Sequence, residues 1–153
     1  MNILFVCTGN ISRSFLAKTL LLNEINKKQI KDINVSSAGT GAYPGTKADP
    51  EMVDFLRGMK IPEGEHYSRM ISHEDIGWAD LILVMEGYHY DYIVKLWPES
   101  EHKIEMLMKY VSPDRPYDEI IDPYCRSPYH YRLVQSQIGL AISNLLKAVS
   151  EDK

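Results

Sequence analysis

The sequence predicts an α/β fold of three layers, α/β/α, with a central four-stranded parallel sheet and a phosphate-binding loop after the first strand. Three observations carry that expectation. Ile3-Leu4-Phe5-Val6 and Leu81-Ile82-Leu83-Val84-Met85 are continuous apolar runs, the pattern of strands buried on both faces. Such runs alternate with helical periodicities, as βαβ units do. A glycine-containing turn, residues 7–14, joins the first run directly to a helical pattern, at the strand end where open α/β sheets bind their ligands.

The elements follow in order. Phe15, Leu16, Leu20 and Ile25 mark a first helix reaching about Gln29. Residues 33–37 read as the second strand. Residues 38–48, with Gly39, Gly41, Pro44 and Gly45, read as a loop. Asp49-Pro50 is an N-cap with proline at the first helical position, opening a helix that ends near Gly58. Ser72 and Asp75 have capping-box spacing and start a short helix. Residues 81–85 form the third strand, 88–97 a helix stopped by Pro98, and 103–107 the fourth strand. Pro113, Pro116, Pro123 and Pro128 make 112–128 a long loop. Ser127-Pro128 starts the last helix, where Val134, Ile138, Ala141, Ile142, Leu145, Leu146 and Val149 keep one face apolar.

A chain of 153 residues is expected to be one domain, 1–153. With 44% hydrophobic and 25% charged residues it is neither disordered nor collagen-like. The net charge of −4 argues against nucleic acid as a partner. Two cysteines, Cys7 and Cys125, are too few for a secreted disulfide scaffold. The short run 3–7 has no basic residue before it, and no stretch is long enough to span a membrane. The expected setting is the cytoplasm.

The turn reads Cys7-Thr8-Gly9-Asn10-Ile11-Ser12-Arg13-Ser14. Backbone N–H groups of a tight loop converge into an anion nest, and the following helix adds its positive N-terminal end. Arg13 supplies a planar fork for two phosphate oxygens. The same field favours a thiolate at Cys7, to which Ser14 can donate. Gly9 and Asn10 tolerate left-handed backbone.

These residues resemble the active-site loop of the low-molecular-weight protein tyrosine phosphatases, and the likeness runs from residue 2 to about 149. Ser36-Ser37-Ala38-Gly39-Thr40, Ala48-Asp49-Pro50, His66-Tyr67-Ser68-Arg69, the 80–85 strand and Asp122-Pro123-Tyr124 are similar to further family segments. Within the family the sequence looks most like bacterial members paired with tyrosine kinases of capsule and exopolysaccharide export. The resemblance implies hydrolysis of phosphotyrosine through a cysteinyl-phosphate. Cys7 would be the nucleophile, Arg13 the transition-state clamp and Asp122 the general acid and then base. Ser14 would ease thiolate attack and departure. Asn10, Ser37 and His66 would hold the loop, and Ala42, Tyr43 and Tyr124 would line the pocket. No metal or cofactor is implied. The expected partner is a phosphotyrosine protein such as a tyrosine autokinase, with inorganic phosphate as product.

Three positions depart from the family pattern: Ser12 for a second Cys, Phe15 for Pro and Lys18 for a frequent Glu. The glycine-rich 39–45 stretch only imitates a dinucleotide fingerprint, since Pro44 sits where a helix should begin. His89 and His102 read as solvent-facing, and the five histidines lack metal spacing. Two other functions compete. An arsenate reductase would need a cysteine relay, for which only Cys125 is present. A non-catalytic phosphotyrosine-binding module would lack Cys7 or Asp122, and both are present.

Overall fold

The computed structural model describes residues 1–151. The last two residues of the expected 1–153 unit lie outside the described residues. The elements are β1 (Asn2–Cys7), α1 (Arg13–Lys28), β2 (Asn34–Gly39), α2 (Pro50–Gly58), α3 (His73–Trp78), β3 (Leu81–Val84), α4 (Gly87–Leu96), β4 (Ile104–Met106) and α5 (Pro128–Glu151). Two 3-10 turns, Pro98–Lys103 and Leu107–Tyr110, flank β4 and shorten the strand expected over 103–107 to three residues. The four strands form one parallel sheet in the order β2-β1-β3-β4.

Strand alternation divides the core between the two faces. Ile3, Phe5, Leu81 and Leu83 pack with the apolar faces of α1, α2 and α5. Leu4, Val6, Ile82 and Val84 pack with Ile76 of α3 and Ile93 of α4. This explains why β1 beyond Asn2 and the whole of β3 are apolar. No helix among the described residues is long and apolar enough to cross a membrane.

β2 runs two residues beyond its expected end at Ser37, because Val6 pairs with Ala38 and Cys7 with Gly39. Small residues without β-branching hid that extension. Gly39 is required there: a Cβ would lie 2.4 Å from the Thr8 carbonyl oxygen and 3.2 Å from the Asn10 Cβ. Beyond Gly39 the 69–71 segment joins the edge, with Gly39 N–H donating to the Arg69 carbonyl and Ile71 N–H to the Gly39 carbonyl. This brings the His66–Arg69 stretch beside the turn that follows β1.

Both expected caps form. Asp49 accepts from Glu51 N–H, and Ser72 and Asp75 make the reciprocal capping box of α3. The buried Asp49 also accepts from the Tyr131 hydroxyl at 2.6 Å, fastening α5 to the start of α2. Burial, reinforced by that hydrogen bond, holds the Tyr131 phenol well above its ordinary pKa.

Candidate active site

The 7–14 turn wraps around Cys7, which is buried at the end of β1. Its sulfur lies 3.0 Å from Ser14 Oγ and accepts from Asn10 N–H at 3.2 Å. Asn10 has φ 56°, the left-handed backbone expected for this turn. Its buried amide organises the loop. Nδ2 donates to Ser14 Oγ at 2.9 Å and to Ser37 Oγ at 3.0 Å, while Oδ1 accepts from Arg69 N–H at 3.0 Å. Ser14 Oγ thus already receives a hydrogen from Asn10, which leaves its own proton for the Cys7 sulfur. His66 Nε2 reaches the Asn10 carbonyl at 2.7 Å.

Arg13 is 1% exposed. Nη1 donates to Glu86 Oε2 and to the Ile120 carbonyl, both at 2.7 Å. Nε and Nη2 are left as a parallel pair of donors, the edge that matches two oxygens of a phosphate. Glu86 thus offsets the buried charge and turns the guanidinium, a role the sequence reading missed.

Asp122 sits at the mouth, half-exposed. Its Oδ1 accepts from Tyr124 N–H at 3.1 Å, and its Oδ2 lies 3.8 Å from Arg13 Nη2. A cavity of about 220 Å3 connects Cys7, Arg13, Ile11, Tyr43, Asp122 and Tyr124. Ser12 also lines it, and the buried Ser12 hydroxyl has no protein partner among the described residues. Ala42 does not line the cavity. It is buried, 3.0 Å from where a Gly39 Cβ would stand, and Gly41 lines the wall instead. Among the described residues no group of three or more His, Cys, Asp or Glu side chains could hold a metal ion.

His89 corrects the expectation of a solvent-facing ring: it is fully buried, whereas His102 is exposed. Its Nδ1 accepts from Glu86 N–H at 3.1 Å, so Nε2 carries the proton and donates to Thr8 Oγ1 at 2.8 Å. Burial, and then the Arg13 charge, lower its pKa to about 3. The only sequence signal was the spacing of Glu86 and His89, which closes a capping box. A depressed histidine pKa means that the unfolded chain binds the proton first. Stability from His89 is complete above about pH 6.5 and is lost as pH falls toward 3, by up to about 1.4 kcal/mol per unit. Urea midpoints measured between pH 7 and 4.5 are expected to drop less steeply in His89→Gln, and equal slopes would refute the assignment.

A family model described as low molecular weight phosphotyrosine protein phosphatase matches residues 2–153. The chain is 36% identical over 152 residues to the low molecular weight protein-tyrosine-phosphatase Wzb of Escherichia coli, covering 99% of this chain and 97% of Wzb. It is 34% identical over 151 residues to a protein-arginine-phosphatase of Geobacillus stearothermophilus, covering 99% and 97%. A solved structure of a mutant YwlE arginine phosphatase with a phosphorylated active-site serine superposes with a TM-score of 0.90 at 30% identity, covering 100% of this chain and 98% of that one. The match over nearly every residue places this chain in the low molecular weight phosphotyrosine protein phosphatase family, and it is a hydrolase.

Proposed function

We propose that the protein hydrolyses phosphotyrosine in proteins through a cysteinyl-phosphate. The observation that carries this reading is the cavity itself. Cys7 and the Arg13 fork are buried in it, while Ile11, Tyr43 and Tyr124 offer apolar and aromatic surface suited to a phenyl ring. The Cys7 thiolate attacks phosphorus, the P–O bond breaks, and Asp122 gives its proton to the leaving phenol oxygen. Asp122 then takes a proton from water, which attacks phosphorus and releases inorganic phosphate and the thiolate. Arg13 and the loop N–H groups hold the charge that develops on the equatorial oxygens. Asn10, Ser37 and His66 keep the loop in shape. The phosphorylated serine of the related YwlE mutant supports a covalent step at this position.

Relatives named protein-arginine-phosphatase define the second reading, in which the phosphate is carried on arginine. Against it, the cavity walls carry two tyrosine rings suited to stacking on a phenyl group and a single carboxylate, Asp122, to offset a guanidinium charge. The test compares kcat/KM for one peptide phosphorylated on tyrosine or on arginine, with chelator present. Preference for the tyrosine form is expected, and preference for the arginine form would reverse the assignment. A tyrosine autokinase remains the proposed physiological substrate.

Ser12 and Cys125 bear on oxidation. Cys125 is exposed, has φ 60°, and does not line the cavity, whereas Cys7 is buried. A sulfenic acid on Cys7 has no thiol beside it in the loop, so peroxide carries it on to sulfinic acid. Activity lost to peroxide is therefore expected not to return with dithiothreitol, and Ser12→Cys is expected to make the loss reversible. Full recovery in the unaltered protein, abolished by Cys125→Ser, would instead make Cys125 the resolving thiol.

A further inference from the structure

A second hollow, of about 350 Å3, is lined by Lys18 of α1, Ser37, His66 and Arg69. Lys18 Nζ lies 2.8 Å from His66 Nδ1, and His66 Nε2 lies 2.7 Å from the Asn10 carbonyl oxygen. A carbonyl can only accept, so Nε2 carries a proton. Nδ1 then either accepts from the lysine or bears a second proton. Two cations face the ring, Lys18 from α1 and Arg69 from the segment beside β2. Glu65 lines the same hollow, but its carboxylate accepts from the Tyr67 hydroxyl, and Asp75 is taken up by Arg69. The ring also packs against Phe15, with centroids 4.8 Å apart. Burial lowers the imidazole pKa; the Asn10 hydrogen bond opposes this, and the Lys18 and Arg69 charges add to the lowering. The imidazolium is thus disfavoured, and Nδ1 is the acceptor.

We propose that Lys18 is a positioning residue of the phosphate loop: its ammonium donates to His66 Nδ1, locks the imidazole as the neutral Nε2–H tautomer, and so aims the donor that holds the Asn10 carbonyl. The proposal rests on the reading of the 7–14 loop as the anion cradle. Asn10 is the loop's left-handed residue, and its side chain contacts Ser14, Ser37 and Arg69, so a swing of its peptide plane disturbs the support of Cys7. A lysine partner, acting with burial, opposes a second proton on the ring. A carboxylate in its place would accept from Nδ1–H and stabilise the imidazolium instead.

The test reads His66 directly, by long-range 1H–15N correlation on the folded protein from pH 5 to 8, alongside inorganic phosphate binding by calorimetry. The wild-type ring is expected to be the neutral Nε2–H tautomer at neutral pH and to take up a second proton at lower pH than a free imidazole. Lys18→Glu is expected to protonate both nitrogens at neutral pH and to give phosphate binding a new pH dependence. Lys18→Met is expected to let the ring take up its second proton at higher pH and to weaken phosphate binding by up to about tenfold, the scale of one hydrogen bond, and Lys18→Arg to restore both. A wild-type ring protonated on Nδ1 at neutral pH, or a Lys18→Met protein with unchanged ring protonation and phosphate binding, overturns the proposal. Because the tautomer is read without turnover, a protein with the expected spectrum that fails to hydrolyse phosphotyrosine refutes only the proposed function.

Discussion

Cys7→Ser is expected to lower turnover of 4-nitrophenyl phosphate by more than about 10³-fold while phosphate binding and thermal stability stay close to wild type. The substitution is nearly isosteric. A hydroxyl at position 7 keeps Ser14 Oγ and Asn10 N–H as neighbours, and the Arg13 fork is untouched. What is lost is the sulfur nucleophile, since an alcohol is far harder to ionise than a thiol. Any phosphate transferred would accumulate as phosphoserine, visible as an added mass on the residue 7 peptide. Retention of substantial turnover would exclude the covalent route. Loss of phosphate binding together with turnover would mean that the sulfur shapes the cradle itself.

The second large effect belongs to Asp122. Asp122→Asn is expected to slow phenyl phosphates with poor leaving groups by about 10²–10⁴-fold, the usual contribution of a general acid. Esters of strongly acidic phenols need no proton on departure, so their burst rate is expected to change far less. The amide can still accept from Tyr124 N–H through its oxygen, so the turn that presents residue 122 is preserved. Burst rates falling equally for both ester classes would assign Asp122 a structural role.

The readable parts of the site are those written in contiguous residues. The 7–14 turn puts the nucleophile, the anion cradle and the arginine into one stretch, so residue types and spacing suffice to identify it. α5 is equally legible, because Val134, Ile138, Ile142 and Leu145 repeat at helical spacing along a long face. Contacts made by folding were not legible. Glu86 gives no local sign that it will meet Arg13, and a lone His89 looks the same whether buried or exposed. Lys18 stood out only as a departure from a pattern, since its meeting with His66 requires two segments 48 residues apart to converge. Ala42 and Tyr43 are neighbours in sequence, yet one turns inward against Gly39 and the other outward to the cavity, a choice made by the path of the loop.

The supports of Asn10 have a consequence for how the protein acquires activity. Its partners Ser37, His66 and Arg69 are 27, 56 and 59 residues away in sequence. The motif is therefore local in sequence while its shape is imposed from a distance, and loops closed over such separations form late relative to neighbouring contacts. A nascent chain carrying only the first strand and helix would present the complete motif without a working cradle. During refolding, recovery of phosphate binding should track docking of the 66–70 segment rather than the growth of helical signal, so the enzyme's own ligand reports the last stage of its assembly.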